Sequence, residues 1–522
     1  MQHDHPNSVR RVVIVGGGTA GWITAGLIAA AAKRADRPVR VTLVESPEVA
    51  TIGVGEGTWP TMRTTLSRLG ISEAEFLGEC TAAFKQGTRF VGWVDGGDED
   101  IYYHPFTAPA GYPSEDLASH WWPERERISF ADAVTAQGMV CDRDLAPKQP
   151  ETPDYAGILN YAYHLDAGRF AALLTRHCTA RLGVEHVPAH ITGLECRDSG
   201  DIAALQTRQR GRIEGDLFID CSGMRAMLLG GHYRIPLIDQ SGVLFNDSAL
   251  AVQVPYARDD APVASQTISV AQPAGWIWDI GLRTRRGVGH VYSSAHMSDD
   301  EAHELLQRYL DRCGAPRNAR PEPRKISFSP GYRREFWHRN CVAVGMASGF
   351  IEPLEASALV MVELSARMIA EELPASRELM NIVARRFNER FAYRWSRIID
   401  FLKLHYLLSR RNDSRYWRDN RAAGTVPVNL LELMQLWRHR PPNQSDFPHV
   451  DEIFSAASYQ YVLYGMKFDY AHCPVRDAAA RPERVRELMR ETVRLANRCL
   501  SALPSNRTIL EQIARAGEPA AV

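Results

Sequence analysis

The fold is decided by the stretch Arg11-Val12-Val13-Ile14-Val15-Gly16-Gly17-Gly18-Thr19-Ala20-Gly21, in which an apolar, β-branched run leads into a glycine turn. An alanine-rich segment of helical character continues to about Lys33, and a second apolar run covers Val39 to Glu45. Strand, glycine turn, helix and strand in this order are typical of a βαβ unit that binds a dinucleotide.

The glycines of this turn have separate roles in such a unit. Gly16 permits the tight turn, Gly18 lets the backbone approach a pyrophosphate, and Gly21 lets the helix pack on the strand. The positive end of the helix attracts the phosphates, and Glu45 is positioned to accept a hydrogen bond from the adenosine ribose. A glycine turn without a ligand is the alternative, because the glycine pattern alone is a weak signal.

Size and charge limit the class of protein. The chain has 522 residues, of which 45% are hydrophobic and 24% charged, so it can bury a large core in one multi-lobed unit or in two or three closely packed domains. Its 61 basic and 62 acidic side chains give a formal net charge of -1. This balance predicts no excess of positive charge for binding nucleic acid or an acidic membrane. Small or neutral partners fit better, and no apolar stretch is long enough to predict a membrane span.

The nine cysteines are odd in number and scattered, and none form a CxxC pair. No secretory signal precedes the first predicted strand. We therefore expect a cytoplasmic protein with reduced thiols and without structural zinc or another metal.

Later segments predict how the rest of the fold is built. Residues 215–223 and 341–345 have the pattern of further strands, so the dinucleotide domain is assembled from discontinuous pieces with insertions between them. Beyond about Val360, helical periodicity predicts a helical C-terminal region. The segment Pro441 to Ser445 is predicted to be a loop.

Lysine is rare in this chain. Of the 61 basic residues only six are lysines, at positions 33, 85, 148, 325, 403 and 467. Arginine is the usual basic residue of this chain, so each lysine is a candidate for a specific role. Composition drift explains most of them, and a surface position on a helix is the alternative for Lys85.

Several separate motifs resemble those of the flavin-dependent tryptophan halogenases, and together they cover nearly the whole chain. The motifs are the glycine turn with Trp22 and the segments 52–56, 84–87, 103–106, 161–166, 276–280 and 349–355. In that family the Trp-x-Trp-x-Ile segment distinguishes halogenases from ordinary flavin monooxygenases. It is present here as Trp276-Ile277-Trp278-Asp279-Ile280, although Gly281 replaces the usual closing proline.

The resemblance implies an α/β fold with a glutathione-reductase-like, Rossmann βαβ domain that binds FAD, a mixed insertion and a helical C-terminal substrate region. We divide the chain accordingly into residues 9–100 (first FAD-binding part, with Lys85), 101–154 (insertion on the substrate side), 155–235 (second FAD-binding part), 236–325 (sheet region with the Trp-x-Trp-x-Ile motif), 326–370 (third part, binding FAD and halide) and 371–515 (helical region covering the substrate).

The resemblance also implies a chemistry. Reduced FAD from a separate flavin reductase reacts with O2 and oxidises a bound halide to hypohalous acid, which travels through an internal tunnel to Lys85. A lysine suits this position because its ammonium or amine can hydrogen-bond hypohalous acid, or bond the halogen as a haloamine. An arginine serves the second role poorly because its delocalised guanidinium is always protonated.

Glu355 is the second predicted catalytic residue. A carboxylate beside the substrate ring stabilises the cation formed when the halogen adds and accepts the proton as aromaticity returns. The alternative is a carboxylate that interacts with a helix N-terminus after the turn at Pro353. Glu352 is expected to be structural.

The remaining site residues follow from the family motifs. We expect the flavin to be bound by Gly16, Gly18, Thr19, Ala20, Gly21, Glu45, Val54, Gly55, Glu56, Met346, Phe350 and Leu359. The halide is expected at Ser357 and Ala358, and the aromatic substrate at His104, Phe106 and Tyr459. Trp276 and Trp278 would form a wall between flavin and substrate. Ordinary core packing is the alternative for these tryptophans and for His104 and Phe106.

Two departures from the family bear on specificity. Ala356-Ser357-Ala358-Leu359 replaces the usual small polar run, and the less polar halide pocket this implies favours bromide over chloride. Residues 441–464 lack the adjacent tyrosine pair that grips the amino-acid end of tryptophan, and Tyr459 stands where a stacking tryptophan is expected. We therefore expect an indole or related electron-rich ring without a tightly recognised amino-acid head, with phenols and pyrroles as alternatives.

The expected partners are a small aromatic substrate and a separate flavin reductase, and the chain is expected to be a monomer or homodimer. Two other functions remain open at this point. One is a flavin monooxygenase, which hydroxylates its substrate directly, and the other is a non-catalytic flavin-binding protein.

Overall fold

The computed structural model describes residues 8–48, 55–97, 99–449, 451–469 and 482–517. One predicted flavin-binding residue, Val54, lies outside the described residues, as do Ile52 and Gly53 of the same motif.

The regular elements are numbered in chain order. The strands are β1 (Arg11–Val15), β2 (Arg40–Glu45), β3 (Glu56–Gly57), β4 (Ala83–Lys85), β5 (Gly87–Val91), β6 (Ile101–Pro105), β7 (Ala162–Leu165), β8 (Glu185–Pro188), β9 (Ile191–Cys196), β10 (Ile202–Thr207), β11 (Gly211–Glu214), β12 (Leu217–Asp220), β13 (Leu237–Asp239), β14 (Ser248–Pro255), β15 (Thr267–Gln272), β16 (Gly275–Gly281), β17 (Arg285–Tyr292), β18 (Arg324–Ser327), β19 (Gly331–Arg333), β20 (Trp337–His338), β21 (Cys341–Ala343) and β22 (Gly349–Phe350). The α-helices are α1 (Thr19–Arg34), α2 (Thr61–Leu69), α3 (Glu73–Glu79), α4 (Leu117–Trp121), α5 (Phe130–Val134), α6 (Gln137–Cys141), α7 (Ala167–Leu182), α8 (Asp299–Arg312), α9 (Ser357–Glu371), α10 (Arg377–Leu408), α11 (Arg415–Asp419), α12 (Val428–Trp437), α13 (Ala456–Gly465), α14 (Pro482–Ala502) and α15 (Asn506–Gly517).

The predicted dinucleotide domain is built on a six-stranded sheet in the order β20-β21-β12-β1-β2-β8. Strand β1 is central and pairs in parallel with β2 and β12, so that Val12 lies opposite Val41 and Leu217. Strands that are far apart in sequence therefore lie side by side, which confirms the predicted assembly from discontinuous pieces. Strand β1 is almost entirely apolar because helix-covered parallel strands are buried on both faces.

A second, seven-stranded sheet has the order β18-β14-β17-β16-β15-β5-β6. It carries the Trp-x-Trp-x-Ile segment on β16, which pairs antiparallel with β15 and β17. Strands β5 and β6 extend this sheet, because β5 pairs in parallel with β15 and antiparallel with β6. The expected boundary at residue 100 falls between two adjacent strands of one sheet.

A small three-stranded sheet in the order β3-β7-β4 positions Lys85. Lys85 is the last residue of β4 and pairs with Ala162 of β7. On the other side of β7, Gly57 of β3 pairs with His164.

The C-terminal region is helical, as predicted, and begins with α9. Helix α9, which ends the third flavin-binding part, packs against α1 of the dinucleotide fold. Helix α10 is the longest described, and its buried face includes Phe401 and His405. None of the helices in the described segments has both the length and the apolar character that a membrane span requires.

Candidate active site

The glycine turn forms a cradle that side chains would fill. Gly16 has a φ of 115°, and a Cβ atom there would lie 2.3 Å from the carbonyl oxygen of Cys221. A Cβ on Gly21 would lie 1.9 Å from the carbonyl oxygen of Gly16. A Cβ on Gly18, by contrast, would meet no other part of the protein within 4 Å. The space is therefore open where a pyrophosphate would approach.

The N-terminus of α1 is prepared for an anion. Gly18 is the N-cap, no side chain caps this end, and the first turn holds no acidic residue. The amides of Thr19 and Ala20 are therefore available to phosphate oxygens. These features fit a dinucleotide such as FAD.

Glu45 ends β2 beside this turn. Its carboxylate packs so closely on Gly17 that a Cβ there would lie 2.3 to 2.4 Å from the two carboxylate oxygens. His186 of β8 holds the same group, with Nε2 2.9 Å from Oε2 of Glu45. The predicted ribose-binding carboxylate is thus fixed against the turn.

Two further segments of the predicted flavin site meet the first turn of α1. Met346 lies in a 3₁₀ turn, Gly345–Ala347, at the end of β21. Gly345 has a φ of 70°, and a Cβ there would lie 2.9 Å from that of Ala20. Phe350 is in β22 and the buried Leu359 is in the first turn of α9. Both elements follow β21 in the chain.

Gly55 and Glu56 enter the small sheet. Gly55 has a φ of 123°, a value that favours glycine, and a Cβ there would lie 3.7 Å from Gly287 of β17. Glu56 follows in β3. Burial raises the pKa of the Glu56 carboxyl to about 7, and the negative charge of Asp166 adds to this effect.

Lys85 is 1% exposed, so the surface position considered from the sequence is wrong. Its Nζ lies 5.3 Å from the centre of the Phe106 ring. A Cβ at Gly57 would lie 3.0 Å from Nζ, which shows how closely β3 covers the amine. Burial lowers the pKa of the Lys85 ammonium to about 8, and the negative charge of Glu355 opposes that shift.

Glu355 is 2% exposed and lies between two histidines. Its Oε1 atom is 2.8 Å from Nδ1 of His104 and 3.3 Å from Nε2 of His405. The backbone carbonyl of Glu355 accepts a hydrogen bond from Nε1 of Trp59 at 2.8 Å. Three separate parts of the chain, β6, α10 and the segment before α2, therefore hold this residue in place.

His405 of α10 contacts both its own helix and Glu355. Its Nδ1 is 3.0 Å from the carbonyl oxygen of Phe401, which can only accept, so Nδ1 carries a hydrogen. Nε2 then faces the Glu355 carboxylate, although without the alignment of a hydrogen bond.

Glu355 is ionised at neutral pH as a result. Burial alone would raise the pKa of its carboxyl, but the charge and hydrogen bond of His104, with the charge of His405, outweigh burial and lower the pKa to about 2. The N-cap of α9 is Ala356 and no side chain caps that helix, whereas the Glu355 carboxylate is hydrogen-bonded to His104.

Glu352 is structural, as the sequence predicts. Its Oε2 accepts hydrogen bonds from Nε1 of Trp276 at 2.6 Å, from the hydroxyl of Tyr406 at 2.6 Å and from Nδ2 of Asn246 at 2.7 Å. Burial raises the pKa of its carboxyl, and those three donors oppose the rise. Glu352 therefore ties the loop before α9 to β16 and α10.

The paired tryptophans lie in the interior. Trp276 and Trp278 are 1% and 7% exposed, and their ring centres are 6.3 Å apart in an edge-on arrangement. A Cβ at Gly289 would lie 2.1 Å from the Trp278 ring, so this glycine makes room for it. Through Glu352, Trp276 is held against the loop that presents Glu355.

The predicted halide residues begin α9. Ser357 and Ala358 are the first helical residues, and the uncapped amides of this turn are available to an anion. Ala356 has a φ of 52°, a left-handed conformation unusual for alanine. The Ala356 Cβ also lies 3.4 Å from the position of a Cβ on Gly57, which places this turn close to Lys85.

A cleft of about 380 Å³ opens beside Lys85 and Glu355. Aromatic rings form its inner part, where Trp59 lies 5.2 Å from Phe106 and 6.1 Å from His104 between ring centres. The structure therefore brings two predicted substrate residues, His104 and Phe106, to the wall of this cleft. Because Phe106 also faces Nζ of Lys85, the amine lies just behind that wall.

Tyr459 lies elsewhere. It is completely buried in α13, with its ring against those of Phe401, Trp437 and Phe447. It is not among the described residues that line the cleft, whereas Tyr461, two residues later, is. The structure thus brings Tyr461 rather than Tyr459 to the place expected for a stacking residue.

Sequence reasoning missed two residues of this site. Trp59 could have been found from its position three residues after Glu56 in a family motif. His405 had no such signal, because in sequence it is one polar residue of a long helix, and only the packing of α10 brings it to Glu355.

Comparisons with known proteins agree with this geometry. Residues 11–481 match the family model described as tryptophan halogenase. The chain is 32% identical to tryptophan 6-halogenase ThaL of Streptomyces albogriseolus, over 97% of this chain and 99% of the relative.

Solved structures are also similar over nearly their whole length. A tryptophan halogenase from Shewanella frigidimarina is 46% identical with a TM-score of 0.94, covering 98% of this chain and 99% of that one. Tar14, a tryptophan C-6 flavin-dependent halogenase (chlorinase) from taromycin biosynthesis, is 31% identical with a TM-score of 0.89, covering 97% and 99%.

Proposed function

This chain belongs to the tryptophan halogenase family and is a flavin-dependent halogenase, and we propose that it halogenates an indole-type, electron-rich ring with hypohalous acid held by Lys85. One observation carries the proposal. Lys85 and Glu355 are both buried behind the wall of one cleft, and Phe106 and His104, which line that cleft, contact the Lys85 amine and the Glu355 carboxylate respectively.

The cradle around Gly16, Gly18 and the first turn of α1 would hold the pyrophosphate of FAD, and Glu45 would bind the ribose. When bound and reduced, FAD supplies the reaction with O2 that oxidises halide to hypohalous acid. We propose that Trp276 and Trp278 separate this reaction from the aromatic substrate.

The surroundings of Lys85 suit it to hold the oxidant. No described residue forms a hydrogen bond with its Nζ, so the group is available to a ligand. With a pKa of about 8, roughly a tenth of the side chain is neutral at pH 7. The amine form reacts with hypohalous acid to give a haloamine and water, and the ammonium form donates a hydrogen bond to the oxygen of the acid.

When Lys85 is in its ammonium form, the ring attacks the halogen of hypohalous acid directly. The ring uses an electron pair to form the carbon–halogen bond while the halogen–oxygen bond breaks toward oxygen. Lys85 gives a proton to that oxygen, which leaves as water. Near pH 8 both forms of Lys85 are populated, so either can take part.

Glu355 completes the reaction. Because its carboxyl stays ionised, it stabilises the positive ring and then accepts the proton from the halogenated carbon. His104 donates to the same oxygen and fixes its direction. His405 supports it from the opposite side, away from the substrate, as a positioning residue.

We propose bromide as the preferred halide. The start of α9 presents backbone amides and the side chains of Ala356 and Ala358 in place of a hydroxyl-rich run. Bromide suits such a pocket because it loses its water more readily than chloride and is easier to oxidise. A separate flavin reductase would supply the reduced flavin, and the enzyme would act in the cytoplasm as a monomer or homodimer.

The test is to incubate the protein with a flavin reductase, FAD, NADH, O2 and indole in equal chloride and bromide, and to identify products by mass. Bromoindole is expected as the main product. The Lys85→Ala variant should make none, whereas the matched Lys325→Ala variant, which removes a surface lysine bound to Asp299, should behave as the wild type.

Hydroxyindole in place of haloindole would contradict the proposal and indicate a monooxygenase reaction. Unchanged turnover in Lys85→Ala would contradict the role of that residue. A dominant chloroindole would leave the reaction class intact and overturn only the proposed halide preference.

A further inference from the structure

The substrate cleft has an unusual cation on its wall. Arg367 of α9 lines the cleft together with the aromatic residues of its inner end. Among the described residues Arg367 has no ion pair and no hydrogen bond, although most arginines near it are paired. A guanidinium group offers five donors, so a part-buried one facing a cleft is suited to a ligand.

The acidic residue closest to Arg367 in α9 forms no ion pair with it. Glu363, one turn earlier in α9, is buried and accepts hydrogen bonds from the hydroxyls of Thr61, at 3.1 Å, and Thr65. Burial raises the pKa of the Glu363 carboxyl to about 7, and those hydroxyls and the charge of Arg367 only partly oppose the rise. Near neutral pH this carboxyl therefore neutralises Arg367 incompletely.

More arginines lie nearby. Arg394 of α10 forms an ion pair with Asp451 at 2.6 Å at the edge of the cleft. The pKa of the Arg394 guanidinium is lowered by its burial, and the charges of Arg390 and Arg367 contribute to the shift. Arg390 also has no ion pair within the described part of the chain. Asp451 thus faces the charges of Arg394 and Arg390, and no described acidic residue forms an ion pair with Arg367.

A second acidic residue that lines the cleft, Glu452, has a hydrogen-bond partner within the protein. Glu452 accepts a hydrogen bond from the hydroxyl of Tyr393. The positive charges that act on Glu452 are those of His449 and Arg397, not that of Arg367.

We propose that Arg367 binds a carboxylate carried by the aromatic substrate, so that the substrate class is an indole or related ring with an acidic side chain. This inference rests on the proposed function. A planar guanidinium matches a carboxylate through two parallel hydrogen bonds. The ring would lie among Trp59, His104 and Phe106, and the acidic side chain would extend along the cleft to Arg367.

The experiment compares indole, indole-3-acetate and tryptamine as neutral, anionic and cationic substrates. The variants are Arg367→Gln, Arg367→Lys and Arg367→Glu, and the control is Arg308→Gln, which removes an exposed arginine paired with Glu304 on α8. The two readouts are kcat/KM for halogenated product and the dissociation constant of each compound by calorimetry, which needs no turnover.

Wild type should prefer indole-3-acetate to indole. Arg367→Gln should lower kcat/KM and affinity for the acid roughly tenfold and leave indole unchanged. Arg367→Lys should retain part of the preference, because it keeps the charge without the planar fork. Arg367→Glu should favour tryptamine over indole-3-acetate, and Arg308→Gln should match the wild type.

Equal affinity of wild type for all three compounds, or an unchanged preference in Arg367→Gln and Arg367→Glu, would overturn the inference. Indole would still be halogenated in that case, so the proposed function would stand. If no compound is halogenated but indole-3-acetate binds through Arg367, the proposed function fails and the carboxylate site remains.

Discussion

Nδ1 of His104 lies 2.8 Å from Oε1 of Glu355, and each side chain is only 2% exposed. A residue of the cleft wall and the predicted base are therefore one hydrogen-bonded unit. His104 lines the cleft and donates to the carboxylate, so one side chain connects the buried acid to the cleft.

The first prediction concerns Glu355. Glu355→Gln keeps the size of the side chain but removes its charge and its capacity to accept a proton. Halogenated product should fall by roughly 10² to 10⁴. Flavin binding, measured by fluorescence titration, and hypohalous acid, measured with a chemical trap, should be retained. Loss of flavin binding in this variant would show that Glu355 is structural instead.

The second prediction separates the two nitrogens of His405. His405→Gln can place a donor near the position of Nε2, facing Glu355, whereas His405→Asn retains only a group near Nδ1, facing Phe401. We expect kcat to fall roughly tenfold more in the Asn variant than in the Gln variant.

The pH profile of these variants tests the same point. Without the positive charge of His405, the pKa of Glu355 should rise from about 2 toward its ordinary value. Glu355 is active when ionised, so activity should fall at a higher pH as the solution becomes more acidic. Equal activity in the two variants, together with a pH profile unchanged from that of the wild type, would contradict a positioning role.

The third prediction is that Lys85 lowers stability. Its folded-state pKa, about 8, lies below the ordinary 10.5, so the folded protein binds fewer protons between those values. This cost is present in full below about pH 8 and is lost as the pH rises to about 10.5. Lys85→Met should therefore raise the free energy of unfolding at pH 7 by up to about 3 kcal/mol while abolishing activity.

Chemical denaturation at pH 7 and pH 9.5 would measure this effect, with Lys325→Met as the surface control. The difference between Lys85→Met and wild type should be smaller at the higher pH. A variant less stable than wild type at both values would mean that Lys85 is a net stabilising group.

The fourth prediction distinguishes Tyr461 from Tyr459. Tyr461→Leu removes a ring that lines the cleft, so KM for indole should rise several-fold. Tyr459→Phe removes a buried hydroxyl that has no partner among the described residues, so it should leave KM unchanged and raise stability by about 1 kcal/mol. An unchanged KM in Tyr461→Leu, which removes the ring, would contradict the stacking role of Tyr461.

Some assignments could be predicted from the sequence because the residues concerned are close together both in the chain and in space. The glycine turn, α1 and Glu45 form one local βαβ unit, so their spacing predicts the cradle directly. Lys85 was accessible for a different reason, since it is rare in composition and lies in a recognisable motif. Tyr459 was expected at the cleft from its place along the chain. On a helix a shift of two residues turns a side chain to another face, which is why Tyr461 lines the cleft instead.

The sequence by itself determined the dinucleotide-binding fold, the family and the chemical types of Lys85 and Glu355. These are properties of local pattern and of residue type. Only the tertiary structure decided the ionisation of the site and the composition of the cleft. His104, His405 and Arg367 lie on β6, α10 and α9, and their effects depend on distance and burial. Electrostatic energies between side chains vary with separation in space and with access to water, which a linear sequence does not specify.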